Sequence, residues 1–178
     1  MAERYGSKFK YQIYRSQARR LAAESALIDP ILRQNRVLPE NLRFEPIDLL
    51  AIQASVDWGD TAHDYPWESV PKWKEKDRKG FDLAIWHRAE LWGLCYATPR
   101  KSLMTIKIVL LEGKPGRTTA QRGIIAPLAL GAVLNYGLML DCKNMEVQDP
   151  DEGAVATYKK LGFRFDSALR LVRPLLDE

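Results

Sequence analysis

Cysteine and histidine are scarce in this chain, with two of each among 178 residues. Cys95 and Cys142 fall in apolar or mixed segments and make no metal-ligand spacing, so no structural zinc site is expected. A reducing cytoplasm is the expected compartment. An apolar leader is missing as well. Met1 to Lys10 is polar and basic with no hydrophobic run behind it, which argues against an export signal. The uncharged run from Ile124 to Leu140 has 17 residues, contains Pro127, Asn135 and two glycines, and falls short of the roughly 20 needed to span a bilayer. A buried helix is expected there. Charge of one sign is not concentrated either: a net +4 implies mild attraction to anions such as nucleotides, not a DNA-binding surface. Internal repeats, low-complexity tracts, a Gly-x-Ser-x-Gly, a P-loop, a His-Glu-x-x-His and any recognisable Cys–His set are all absent.

What is present describes an ordinary globular protein, 46% hydrophobic and 28% charged. A chain of this length suits one domain that buries roughly two thirds of its unfolded surface. Residues 1–40 stand apart as a basic helical extension. Tyr11, Tyr14, Ala18, Leu21 and Ala22 recur at helical spacing, while Lys8, Lys10, Arg15, Arg19 and Arg20 supply the polar sides. Pro30 ends or kinks this helix, and Pro39 marks the entry to residues 41–178. Two readings stand: a basic arm for nucleic acid, an acidic partner or an anionic surface, or an amphipathic helix packed on its own domain or on a second copy.

Residues 42–47 alternate as a first strand, and Asp48 is placed to cap a helix Leu49–Val56. Periodicity disappears over 58–80, an irregular loop holding Trp58, Trp67 and Trp73. Three strand-like runs follow, 81–88, 91–98 and 103–111, joined by connections of hairpin length. Then come a long helix over 123–140, a brief strand over 145–148, a short helix over 152–161 and a strand over 163–172. The meander pairs antiparallel, and the strand–helix–strand crossover after it favours parallel pairing. The expected fold is therefore α/β, with a mixed, mostly antiparallel sheet flanked by helices.

The 152–161 helix places Val155, Tyr158 and Ala154 on one face and stops at Gly162, before Phe163 opens a strand. The string Ala154-x-x-x-Tyr158-x-x-x-Gly162-Phe163 resembles the acetyl-coenzyme A-binding signature of the GNAT N-acetyltransferase superfamily, roughly Asn-x-x-Ala-x-x-x-Tyr-x-x-x-Gly-Phe. The element order over about 41–173 is similar to the GNAT fold. Upstream, residues 113–123 carry three glycines and three cations where a strand passes into a helix, a place for a pyrophosphate. The family's loop there is Gln/Arg-x-x-Gly-x-Gly/Ala. Here Gln121 and Ala126 fit it, Ile124 occupies the middle glycine position and Gly123 comes one place early. Asp151 stands where the family often has Asn, and is expected to cap the helix instead of meeting the cofactor.

The resemblance implies acetyl-CoA as cosubstrate and a primary amine as acceptor, attacked directly without a covalent enzyme intermediate. It implies that Tyr158 protonates the leaving thiolate. The base in similar proteins is often a carboxylate on or beside the fourth strand; Glu112 is nearest, with His63, Asp64 and Glu68 as substitutes, and its other reading is an exposed strand-end carboxylate. Leu110, Leu111, Arg117, Gln121, Arg122, Gly123, Ile124 and Tyr158 are the implied cofactor-binding positions. Acidic and aromatic residues of the 58–68 loop suit a cationic amine, or serve only to bury that loop. Two alternatives remain at this point: a GNAT-fold binding or regulatory module without catalysis, and an acetylating modifier of RNA-bound or ribosomal substrates. The extension leaves a homodimer, an acidic partner or nucleic acid open, and no metal is expected.

Overall fold

The computed structural model describes residues 2–59, 64–116 and 123–176, with side chains described from residue 9 onward. The chain begins with α1 (Ala2–Ile28), α2 (Pro30–Gln34), a 3₁₀ turn at Pro39–Asn41, β1 (Leu42–Glu45), α3 (Leu49–Val56), a second 3₁₀ turn at Trp67–Ser69 and α4 (Val70–Lys76). It continues through β2 (Phe81–His87), β3 (Glu90–Pro99), β4 (Thr105–Gly113), α5 (Ile125–Met139), β5 (Asn144–Val147), α6 (Glu152–Lys160), β6 (Arg164–Phe165) and β7 (Leu171–Pro174). Among the described residues seven strands form one sheet in the order β1-β2-β3-β4-β5-β7-β6. Only the β4–β5 pair is parallel, because α5 crosses over and returns the chain in the same direction.

Local chemistry sets several boundaries. Pro30 cannot continue α1, and Asp29 restarts the helix by accepting from the Ile31 N–H at 2.8 Å. Asp48 accepts from the Ala51 N–H at 2.9 Å and opens α3. The run 81–86 is buried throughout because the sheet is covered on both faces. Phe81, Leu83 and Ile85 meet the α5 side, while Ala84 and Trp86 meet the α3–α4 side.

Two segments differ from the sequence expectation. The 58–80 stretch is not irregular throughout: its second half forms the Trp67–Ser69 turn and α4, which buries Trp67 and Val70 against the sheet. The expected strand over 163–172 is instead a hairpin of β6 and β7. Asp166 folds the turn, its carboxylate accepting from the N–H groups of Ala168 at 2.9 Å and Arg170 at 2.8 Å. No helix among the described residues is long and apolar enough to cross a membrane.

Helix α1 packs on its own domain. Ala18, Ala22 and Ala26 are buried at four-residue spacing, and such small side chains let α1 lie close against α5. Arg19 between them is also buried. Its Nη2 donates to Asp82 Oδ1 at 2.8 Å and to the Asp82 carbonyl at 2.7 Å, and Lys74 Nζ reaches the same Oδ1 at 2.8 Å. Asp82 itself, on β2, is wholly buried.

Candidate active site

Strands β4 and β5 run together only from Thr105↔Asn144 to Ile108↔Val147. The Gln148 N–H donates to the Ile108 carbonyl at 2.9 Å and closes the ladder. Beyond it β4 continues to Gly113, while the segment after β5 turns away into α6. The divergence opens two adjoining cavities. One, of about 270 Å³, is walled by Leu110, Val147 and Asp149 among others; the second, of about 320 Å³, by Glu112, Gly123 and Ala126. Leu111, Asp151, Ala154 and Tyr158 line both. A third cavity of about 680 Å³ lies on the α3 side, lined by Trp58, Asp64, Tyr65, Trp67, Glu68 and Glu112. Glu112 is its shared wall with the second cavity, and Tyr65 its shared wall with the first.

A bulge in β4 decides where Glu112 points. The β3–β4 register steps from Tyr96↔Leu110 to Ala97↔Ile108, leaving Val109 without a partner. Strict alternation would put Glu112 on the face of Ile106 and Ile108, against α5. The extra residue reverses that, so Leu111 packs with the α5-side core and Leu110 with the α3-side one. Glu112 then accepts from Trp67 Nε1 through its Oε2 at 2.7 Å and is only 4% exposed. The reading of Glu112 as an exposed strand-end carboxylate is overturned.

Tyr158 sits near the C-terminus of α6, where Gly162 at φ +92° ends the helix and the Phe163 N–H returns to the Tyr158 carbonyl at 3.1 Å. Its ring meets Phe163 edge to face at 5.5 Å. Burial pushes the phenol well above its ordinary value, and neighbouring Cys95 and Tyr65 add to this. Tyr65 is raised too, by burial first and then by Glu112 and Asp151. Asp151 does not cap α6 with its side chain, contrary to expectation. Its carbonyl accepts from the Ala154 N–H at 2.8 Å, and the exposed carboxylate edges both smaller cavities.

Gly123 stands in the left-handed region at φ +78° and edges the 320 Å³ cavity. Ile124 is buried and occupies the N-cap of α5 with no side-chain cap bond. Leu110 and Leu111 are half-buried cavity walls. Arg117, Gln121, Arg122 and His63 lie outside the described residues. Sequence reasoning did not single out Tyr65 or Ala154 as site residues. Tyr65 had only the aromatic density of its loop as a signal, while Ala154 was already in the motif and needed to be read as the small residue that keeps the cavity open.

This fold has counterparts among solved structures. The chain is similar to the ribosomal-protein-S18-alanine N-acetyltransferase from Escherichia coli, at TM-score 0.56 and 11% identity over 77% of this chain and 96% of that one. It is similar to Ard1 from Thermoplasma volcanium, at TM-score 0.57 and 13% identity over 77% and 99% of the two chains. A Bacillus subtilis acetyltransferase in complex with CoA gives TM-score 0.55 and 21% identity over 76% and 99%. No protein-family model matches the sequence, and neither does any curated protein. The chain has the GNAT acetyltransferase fold. At these identities the likeness is one of fold, and activity has to be argued from the site.

Proposed function

We propose that this protein transfers an acetyl group from acetyl-CoA to a primary amine by direct attack, with Glu112 as base and Tyr158 as acid. The observation that carries the reading is that these two side chains, from β4 and α6, wall the same 320 Å³ cavity. Acetyl-CoA would supply an activated thioester; CoA is bound in one of the structural neighbours. Leu110 and Leu111 border the cleft that would take its thioester arm. Gly123 and Ile124 stand at the start of α5, whose first-turn amides, those of Ile125 and Ala126 since Pro127 has no N–H, suit a pyrophosphate, and Arg117, Gln121 and Arg122 belong to the same reading. The acceptor would enter through the 680 Å³ cavity, where Trp58, Tyr65 and Trp67 offer aromatic faces and Asp64, Glu68 and Glu112 offer negative charge to an ammonium. Glu112, shared by both cavities, takes the proton from the amine. Tyr158 gives its proton to the departing sulfur.

Release of free thiol from acetyl-CoA across a panel of primary amines tests the reading directly. Binding of acetyl-CoA with no amine-dependent release would make the chain a CoA-binding module. The cleft assignment has its own check. Ala154→Phe fills space common to both smaller cavities, so acetyl-CoA affinity should fall at least tenfold in a calorimetric titration with the fold intact; unchanged affinity would move the cofactor elsewhere.

Trp67→Phe addresses the base. An aromatic ring is kept, smaller than the indole, while the N–H is removed, and a hydrogen bond to a charged group contributes about 1.5–3 kcal/mol. A carboxylate with one donor fewer holds its proton more tightly. The acidic limb of the rate–pH profile should therefore move to higher pH in this variant, with acetyl-CoA affinity unchanged. A profile that stays in place would remove Glu112 as the titrating base.

A further inference from the structure

A fourth cavity, of different character, lies toward the β1 edge of the sheet, three strands from β4. Helix α1, the end of β1 and α4 enclose about 460 Å³ there. Arg15, Arg19, Arg20 and Lys74 all line it, and among the described residues no carboxylate does. Phe44 and Ser16 stand among the other walls, one apolar and one a hydroxyl.

The cations are held in place from behind. Asp82 lies buried beneath the cavity, and its Oδ1 holds both Arg19 Nη2 and Lys74 Nζ, each at 2.8 Å. Its Oδ2 accepts from the Ile47 N–H at 2.7 Å. One carboxylate therefore compensates two cations. Arg15 is anchored by neutral groups, its Nη1 donating to the carbonyls of Arg78 at 2.9 Å and Gly80 at 3.2 Å. Arg20, at the rim, pairs with exposed Glu24 at 2.6 Å. Burial lowers the Arg19 guanidinium from its ordinary value; Asp82 offsets part of this, and the charge of Arg15 works against it. The result is fixed positive charge in excess of its counter-ions, facing an open cavity of ligand size.

The geometry points to a binding site for a small phosphomonoester, a doubly charged phosphate carried on an apolar or aromatic body. Guanidinium forks and an ammonium match phosphate oxygens, and a dianion compensates the excess that a single carboxylate would leave. The Phe44 wall takes the body, and Ser16 adds a hydroxyl donor. This inference does not depend on the acetyl-transfer reading, since it uses none of the residues of the β4–α6 cleft.

Phenyl phosphate is the probe, titrated by calorimetry into the full chain at fixed ionic strength, with and without coenzyme A. Binding of one equivalent is expected in both conditions. Inorganic phosphate should bind more weakly than phenyl phosphate, and phenol not measurably, because the charged group and the body are both used. Ser16→Glu places a negative charge at the cavity wall while leaving every anchor of the cations intact, and should weaken binding at least tenfold. Arg20→Gln, at an exposed position, should weaken it severalfold. Circular dichroism of both variants should match the parent. Absence of binding, an equal response to chloride at matched ionic strength, or parental affinity in Ser16→Glu would each overturn the assignment.

Discussion

Tyr158→Phe should lower turnover by about 10²–10⁴-fold, the usual contribution of a general acid, while acetyl-CoA affinity stays within about threefold. The substitution removes only the hydroxyl. The ring that packs edge to face on Phe163 is retained, so α6 keeps its place against the cleft. Burial raises the phenol and keeps it protonated across the range where an amine acceptor is nucleophilic. The same shift makes it a weaker acid than a solvated phenol, so proton transfer has to accompany departure of the sulfur. A second measurement separates this role from packing. With an aryl thioacetate as donor, the leaving thiolate needs little protonation, and the Tyr158→Phe defect should shrink toward unity. If the variant transfers acetyl within threefold of the parent from acetyl-CoA itself, Tyr158 is a packing residue and water is the acid.

The sequence made the sheet legible where local chemistry and long-range structure agree. The Asp48 cap of α3, the hairpin-length connection at 88–90 and the helix stop at Gly162 each act within a few residues, and each appears in the fold. The parallel return at β5 followed from a crossover rule that also needs no distant partner. Misreadings arose where a side chain or a neighbouring layer decides. Helix α4 begins at a Val–Pro step inside a stretch without apolar period, and it is held by burial of Val70 under the sheet. The 163–172 strand is broken by Asp166, whose carboxylate substitutes for ladder hydrogen bonds.

The candidate site divides in the same way. Tyr158 was legible because its motif spans one helix and the glycine that ends it. Glu112 was legible as a carboxylate beside β4, but not as a buried one. Its orientation depends on the bulge at Val109, and Val109-Leu110-Leu111 is uniformly apolar, so nothing in the string marks which residue loses its partner. Trp67, as the donor to Glu112, depends on the turn that precedes α4, and no local periodicity marks that turn in the sequence.

Asp82→Ala should destabilise the protein by about 3–5 kcal/mol, the cost of leaving a buried charge without its partner. That is a large share of the roughly 5–15 kcal/mol by which domains are stable. The position is wholly buried, and its carboxylate serves Arg19 from α1, Lys74 from α4 and the Ile47 N–H that follows β1. Removal leaves the buried Arg19 guanidinium, which lies over the Phe81 ring, and the Lys74 ammonium without their anionic partner, with Arg15 close enough to repel Arg19. Urea unfolding should show the loss as a lower midpoint at unchanged slope. The double change Asp82→Leu with Arg19→Met removes the carboxylate and the buried guanidinium together and should recover part of the loss, the remainder belonging to Lys74 Nζ and the Ile47 N–H, which lose the same acceptor. These two results together would show α1 to be keyed into the domain through one buried ion cluster. A loss below about 1 kcal/mol for Asp82→Ala would instead mean that the alanine stripe alone seats α1, and that Arg19 reaches water when its partner is gone.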